Sequence, residues 1–137
     1  VLPGVVEYLT GALKLGIKIG ITSSSSREWV EGHLTQRDLI DHFNSIITRD
    51  DVARVKPDPE LYLKCAATLN VEPQSCIVIE DSQNGLAAAK TAGMTCIVVP
   101  NPMTTDMDLG LADLRLDILS DMPFETMLNW AETQTSS

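Results

Sequence analysis

Short apolar runs alternate with helix-period segments and polar turns along the chain, and one run sets the frame for the rest. Cys76-Ile77-Val78-Ile79 is apolar without alternation and stops at two adjacent carboxylates, Glu80-Asp81. Gly85 and the Ala-rich run Leu86 to Ala92 follow. The pattern predicts a buried parallel strand feeding a helix, with both acids at the strand's carboxyl end. Ligands of open α/β sheets sit at that edge.

The same alternation runs from the start. Pro3-Gly4 opens a helix whose Val5, Val6, Leu9, Ala12 and Leu13 recur at helical spacing, and Gly16 closes it. Ile17 to Ile21 reads as a strand, Thr22-Ser23-Ser24-Ser25-Ser26 as a hydroxyl-rich turn, and Arg27 to about Leu34 as a helix burying Trp29, Val30 and Leu34. Leu39 to Phe43 is a short apolar patch, and Ser45 to Thr48 a short strand before Arg49-Asp50-Asp51. Val55-Lys56-Pro57-Asp58-Pro59 is stiff and extended, because each Pro fixes its own φ and drives the residue before it out of the α region. Pro59 then fits the first turn of a helix from Glu60 to Leu69, where Leu61, Cys65 and Leu69 line up four apart.

Gly93 ends the central helix, Thr95 to Val99 is another continuous apolar strand, and Pro100-Asn101-Pro102 stops it. Residues 103–115 read as loop, Leu116 to Leu119 as a short edge strand, and Pro123 to about Ala131 as a last helix through Phe124, Met127 and Leu128. Glu132 to Ser137 reads as a frayed polar tail. Strands alternating with helices, without repeat or linker, imply one three-layer α/β/α Rossmann-like sandwich with a mostly parallel sheet, its core spanning residues 1–131.

Composition narrows the classes of function. A chain of 137 residues is one domain that buries about 68–70% of its unfolded surface. No apolar run approaches the roughly 18 residues of a membrane span, so no membrane partner is expected. Ten basic against nineteen acidic residues give a net charge of −9, which repels polyanions and argues against nucleic acid, although a local pocket can still hold a small anion. Cys65, Cys76 and Cys96 are odd in number, widely spaced and set in apolar patterns, and they read as reduced core residues of a cytosolic (cytoplasmic) protein. His33 and His42 lack metal-ligand spacing and read as structural. No Gly-x-Ser-x-Gly, Walker A loop or dinucleotide Gly motif is present.

In a right-handed α/β sandwich the polar turns at Ser23, Lys56 and Glu80-Asp81 all face one sheet edge. Each has an ordinary reading: a Ser run caps a helix, a Lys before Pro is a solvated surface residue, and paired acids favour a helix dipole. Together they make a site for a phosphate with a divalent cation. Amides after Ser23 suit phosphate oxygens, Lys56 adds a charge-assisted contact, and Glu80 and Asp81 offer the hard oxygens Mg²⁺ prefers. A nucleophile is missing, because phosphoryl transfer needs an oxygen in line with the leaving group.

Pro3-Gly4-Val5 with its helix, the strand ending at Ser23, Val55-Lys56-Pro57-Asp58-Pro59 and Ile79-Glu80-Asp81-Ser82-Gln83-Asn84-Gly85 resemble the haloacid dehalogenase superfamily, in its branch of β-phosphoglucomutase-like phosphatases. The resemblance covers residues 1 to about 125. It implies that Ser23, with Ser24 beside it, binds the transferring phosphoryl group, that Lys56 offsets negative charge there, and that Glu80 and Asp81 hold Mg²⁺. It implies hydrolysis of a small phosphorylated metabolite through an aspartyl-phosphate. The family's Asp-x-Asp nucleophile motif, on a strand between those ending at Ser23 and Glu80, is not in this chain. Asp106-Met107-Asp108 has the spelling but follows Thr-Thr in a loop and lies after the acidic strand.

Two hydrophobic strand edges are therefore expected to lack a partner, to be satisfied by rearrangement, a second copy or an N-terminal segment. The expected whole is a larger polypeptide, of which this chain is the core without its first strand and cap domain, inactive alone. A phosphosugar mutase of the same branch is the neighbouring alternative, for which Ser25, Ser26 and Arg27 offer a place for a second phosphate. A non-catalytic α/β module binding an anion or partner is the alternative from another class. A receiver-like domain fits less well, since Lys56 precedes the acidic strand.

Overall fold

The computed structural model describes residues 4–100 and 110–135. In chain order the elements are α1 (Val5–Lys14), β1 (Gly20–Thr22), α2 (Arg27–Gln36), β2 (Ser45–Ile47), α3 (Glu60–Leu69), β3 (Ile77–Glu80), α4 (Gln83–Thr91), β4 (Thr95–Val98), β5 (Leu114–Arg115) and α5 (Phe124–Thr135). Single 3-10 turns lie at Ile40–His42, Arg49–Asp51, Pro73–Ser75 and Leu119–Asp121. Gly4 starts α1 with φ 94°, and an added Cβ would stand 2.8 Å from the Ser120 nitrogen, so this turn needs glycine both for its backbone and for its closeness to the approach of α5.

Every described strand pair is parallel, as the continuous apolar runs imply. The core is layered by the period of two along the strands. Cys96 and Val98 of β4 face Leu86 and Ala89 of α4 and Tyr62 and Ala66 of α3, whereas Ile97 and Val99 face Tyr8 and Ala12 of α1 and Phe124 and Met127 of α5. A second side of the molecule packs Leu9 of α1 on Val30 and Leu34 of α2, and Ile47 of β2 on Leu61, Cys65 and Leu69 of α3. This is the expected α/β sandwich.

The described strands do not form one sheet. β1 pairs only β2, with Ile21 opposite Ile46, and β3 pairs β4, which pairs β5. Among the described residues no strand pairs the facing edges of β1 and β3, which is where the sequence reading expects a gap. Its mark is Ile79, which the apolar run predicts to be buried but which is 42% exposed. Of the ways to satisfy those edges, the described residues show no strand of this chain moved into the space.

Several local expectations change. β1 starts at Gly20 and not at Ile17, because the Ile17 amide donates back to the Ala12 carbonyl at 2.9 Å and is spent closing α1. The last strand is Leu114–Arg115, and Leu116 to Leu119 is not an edge strand: the Asp113 carboxylate accepts the Cys96 amide at 2.8 Å and Lys90 Nζ at 2.7 Å, docking the chain on β4 earlier. Trp29 is not core. It is 58% exposed and stacks on the His33 ring at 4.7 Å, because the stripe α2 turns inward is Val30 and Leu34. α5 runs past Ala131 to Thr135, further than the polar composition there implies. The three cysteines are free thiols, Cys65 and Cys96 buried and Cys76 half-buried. Asp106-Met107-Asp108 lies outside the described residues.

The turn after β1 is held by ionic and backbone contacts. Ser26 caps α2 by accepting the Trp29 amide. The Arg27 amide donates to Asp50 at 2.8 Å, and the Arg27 guanidinium donates to Asp51, Glu31 and the Ile46 carbonyl. Arg27 is thus tied to the scaffold by three of the five N–H groups of its guanidinium. The Thr48 amide, then Arg27, hold the Asp51 carboxyl below its usual range against the opposing effect of burial.

Two glycines test the packing. A Cβ on Gly11 in α1 would meet the Phe124 ring at 2.4 Å, while one on Gly32 in α2 meets nothing within 4 Å. Gly32→Ala is expected to gain about 0.5–1 kcal/mol, and Gly11→Ala to lose stability, since overpacking costs about 1–3 kcal/mol. Urea unfolding of the two variants beside the parent chain measures both signs. Asp51 contributes stability that is present above the ordinary carboxylate pKa of about 3.9 and disappears as pH falls through its lower folded value. Asp51→Asn should therefore flatten the dependence of unfolding free energy on pH below about 4, read from denaturation at stepped pH.

Candidate active site

Lys56 stands at the carboxyl ends of both sheets. Its Nζ donates to Glu80 Oε2 at 2.9 Å, at the end of β3, and to the Thr22 carbonyl at 3.3 Å, at the end of β1. The two side chains are only 11% and 10% exposed. The rigid segment predicted from the two prolines delivers it. The Lys56-Pro57 peptide is cis, the Asp58 amide donates to the Val55 carbonyl at 3.0 Å, and the Asp58 carboxylate accepts the Glu60 amide at 2.9 Å at the start of α3.

Glu80 is turned inward. Its Oε2 accepts Lys56 Nζ and the Tyr62 hydroxyl, and its Oε1 accepts the Asp81 amide at 3.2 Å and Ser82 Oγ at 3.5 Å. Gly85 makes this possible, since a Cβ there would come within 1.9 Å of the Glu80 carboxyl carbon. Burial pushes the Glu80 pKa up, but Lys56, Tyr62 and the Asp81 amide outweigh it, so the carboxyl lies below its usual range. Burial, then the Glu80 charge, raise the Tyr62 pKa, so its hydroxyl keeps its proton and donates.

Asp81 follows at the exposed end of β3. Ser82 caps α4 by accepting the Gly85 amide at 3.0 Å. Ser23 is one residue beyond the carbonyl that holds Lys56, and its Oγ accepts the Ser25 amide at 3.0 Å. With the Arg27 amide taken by Asp50, the loop offers an anion fewer amides than its place before α2 predicts. Ser24, Val55, Lys56, Ser82, Gln83 and Asn84 line an open cleft of about 390 Å³.

The structure therefore joins Lys56 to Glu80 directly and to the Ser23 turn through Thr22, and sets Ser24 and Lys56 among the residues lining one cleft. Tyr62, Gln83 and Asn84 were not singled out by sequence. A Tyr placed just inside the helix that follows a Lys-Pro-Asp-Pro segment was the available signal for the first. Glu80 and Asp81 are a hard, anionic oxygen pair suited to Mg²⁺, but among the described residues no group of three or more His, Cys, Asp or Glu gathers around a common point. Further ligands would come from water, a bound phosphate or residues beyond those described. The thiols are not activated nucleophiles: burial raises Cys65 and Cys76 and pushes Cys96 up to about 12. No helix among the described residues is long and apolar enough to cross a membrane.

The family model of haloacid dehalogenase-like hydrolases matches residues 1–99. The chain is 48% identical to the Bacillus subtilis protein YhcW over 132 residues, covering 96% of this chain and 60% of that protein. It is 38% identical to hexitol phosphatase B of Escherichia coli over 128 residues, covering 93% of this chain and 58% of that enzyme. The crystal structure of β-phosphoglucomutase from Clostridium difficile superposes with a TM-score of 0.86 at 31% identity, covering all of this chain and 59% of that one. The chain thus spans about 60% of the length of the relatives it matches, and by its family model, its relatives and its fold it belongs to the haloacid dehalogenase-like hydrolases.

Proposed function

We propose that the protein to which this chain belongs is a Mg²⁺-dependent phosphatase acting on a small phosphorylated metabolite, through an aspartyl-phosphate formed on a carboxylate outside the described residues. The observation that carries this reading is Lys56: a nearly buried ammonium pinned to Glu80 and Thr22, in a cleft lined also by Ser24, Ser82, Gln83 and Asn84. An ammonium has three N–H groups, and two go to those acceptors. The third is left for an oxyanion in the cleft.

In this reading Lys56 binds and orients the phosphoryl group and offsets the charge it gains during transfer. Glu80 aims Lys56, the Ser23 and Ser24 hydroxyls donate to phosphate oxygens, and Asp81 provides oxygens for the cation, joined by Glu80 Oε1 where it releases its 3.5 Å contact with Ser82. Bound there, Mg²⁺ would neutralise phosphate charge and polarise the phosphoryl group. The nucleophile belongs between the facing edges of β1 and β3. A parallel strand entering that gap would cover Ile79 and end beside Lys56.

Relatives support the substrate class: hexitol phosphatase B is named for a phosphorylated polyol, and the β-phosphoglucomutase neighbour for a phosphosugar. For the mutase alternative, the ties of Arg27 to Asp51, Glu31 and Ile46 leave fewer of its N–H groups for a second phosphate.

The test is p-nitrophenyl phosphate hydrolysis by the full-length protein. Lys56→Ala and Asp81→Ala are each expected to lower kcat by about 10²–10³, the usual cost of a charge-stabilising group. Rates within a few-fold of the parent would exclude this assignment. Removing divalent cations with a chelator is expected to abolish turnover, and Mg²⁺ alone to restore it; turnover indifferent to chelation rules out the metal.

A further inference from the structure

Among the described residues, Tyr62 is a buried titratable side chain that touches both Lys56 and Glu80. Its ring packs in the core among Ala66, Val78, Leu86 and Val98 and is 7% exposed. Its hydroxyl donates to Glu80 Oε2, the same oxygen that accepts Lys56 Nζ, and the Lys56 ammonium lies 4.8 Å from its ring centroid. Lys56 and Tyr62 are tied by the Pro57-Asp58-Pro59 connector, whose Asp58 bonds back to Val55 and forward to Glu60. One stiff segment thus reaches Glu80 with two donors.

We propose that Tyr62 is a positioning residue for Lys56, its hydroxyl fixing the carboxylate that aims the ammonium and its ring supporting the ammonium from below. The proposal rests on the phosphatase reading of the cleft. Without the hydroxyl, Glu80 Oε2 keeps Lys56 as its remaining side-chain donor, and the carboxylate can rotate towards Ser82 and the Asp81 amide, taking the ammonium with it. Without the ring, the ammonium also loses its cation–π contact and the packing beneath it. A misaimed Lys56 still attracts an anion, but it is displaced from where charge develops in the transition state, so the loss belongs in kcat.

Tyr62→Phe preserves the ring and the packing, and Tyr62→Leu removes both. In the full-length protein, Tyr62→Phe is expected to lower kcat on p-nitrophenyl phosphate about tenfold, the equivalent of one lost hydrogen bond. KM should stay within about twofold, because ground-state attraction of the anion persists. In a Lys56→Ala background the same substitution should cost nothing further, since the residue it positions is gone.

A second readout does not need turnover: acetic anhydride labelling followed by mass spectrometry, with exposed Lys14 as internal reference. Lys56 acetylation is expected to rise about threefold or more in Tyr62→Phe and further in Tyr62→Leu, as its restraints are removed. Unchanged labelling in both variants overturns the proposal, and so does an active enzyme whose kcat survives Tyr62→Phe. If the parent protein shows no phosphatase activity, or Lys56→Ala does not reduce it, the functional reading falls and the labelling alone decides whether Tyr62 holds Lys56.

Discussion

Lys56 and Glu80 form an ion pair that is almost dry, and the arrangement of the chain around it follows from what such a pair demands. Two charges withdrawn from water are costly unless their remaining donors and acceptors are met. Here they are met by residues from different parts of the chain: the Thr22 carbonyl at the end of β1, the Tyr62 hydroxyl and ring on α3, and the Asp81 amide and Ser82 hydroxyl at the start of α4. Gly85 leaves the volume into which the carboxylate folds.

The pair also bridges a discontinuity. β1 with β2 and β3 with β4 and β5 are separate parallel sheets, and their carboxyl ends meet through a lysine side chain and not through backbone pairing. Helix α3 spans both, packing Leu61, Cys65 and Leu69 towards Ile47 on one side and Tyr62 and Ala66 towards Val78 and Val98 on the other. The same helix therefore supplies the mechanical link between the sheets and the hydroxyl that holds Glu80. Exposure of Ile79 beside these buried partners is what an apolar strand shows when a neighbour is owed on its edge.

Strongly periodic segments were legible. The helix Glu60–Leu69 has the predicted bounds because Pro59 starts it and Asn70, in the left-handed conformation, ends it. The continuous run Thr95 to Val99 became the central strand β4 because both faces of the sandwich cover it. Misplacements came where a tertiary contact outcompeted local pattern. Trp29 satisfies a helical stripe, yet α2 is already covered through Val30 and Leu34, so the indole rests on His33 at the surface. Asp113 docks the chain on β4 ahead of the apolar Leu116 to Leu119, which local preference alone favoured as the strand.

Sequence by itself determined the α/β class, the parallel strands and the chemical inventory of one sheet edge: a hydroxyl-rich turn, a lysine on a proline-stiffened loop and two adjoining acids. These are written in residue type, spacing and backbone restriction, which act over a few positions and so survive without coordinates. Only the tertiary structure decided how that inventory is spent. It turned Glu80 inward onto Lys56, enlisted Tyr62, consumed Arg27 in holding α2, and closed the Ser23 hydroxyl on its own loop. Those assignments depend on which donors meet which acceptors in a dry interior, a long-range competition that no local pattern encodes.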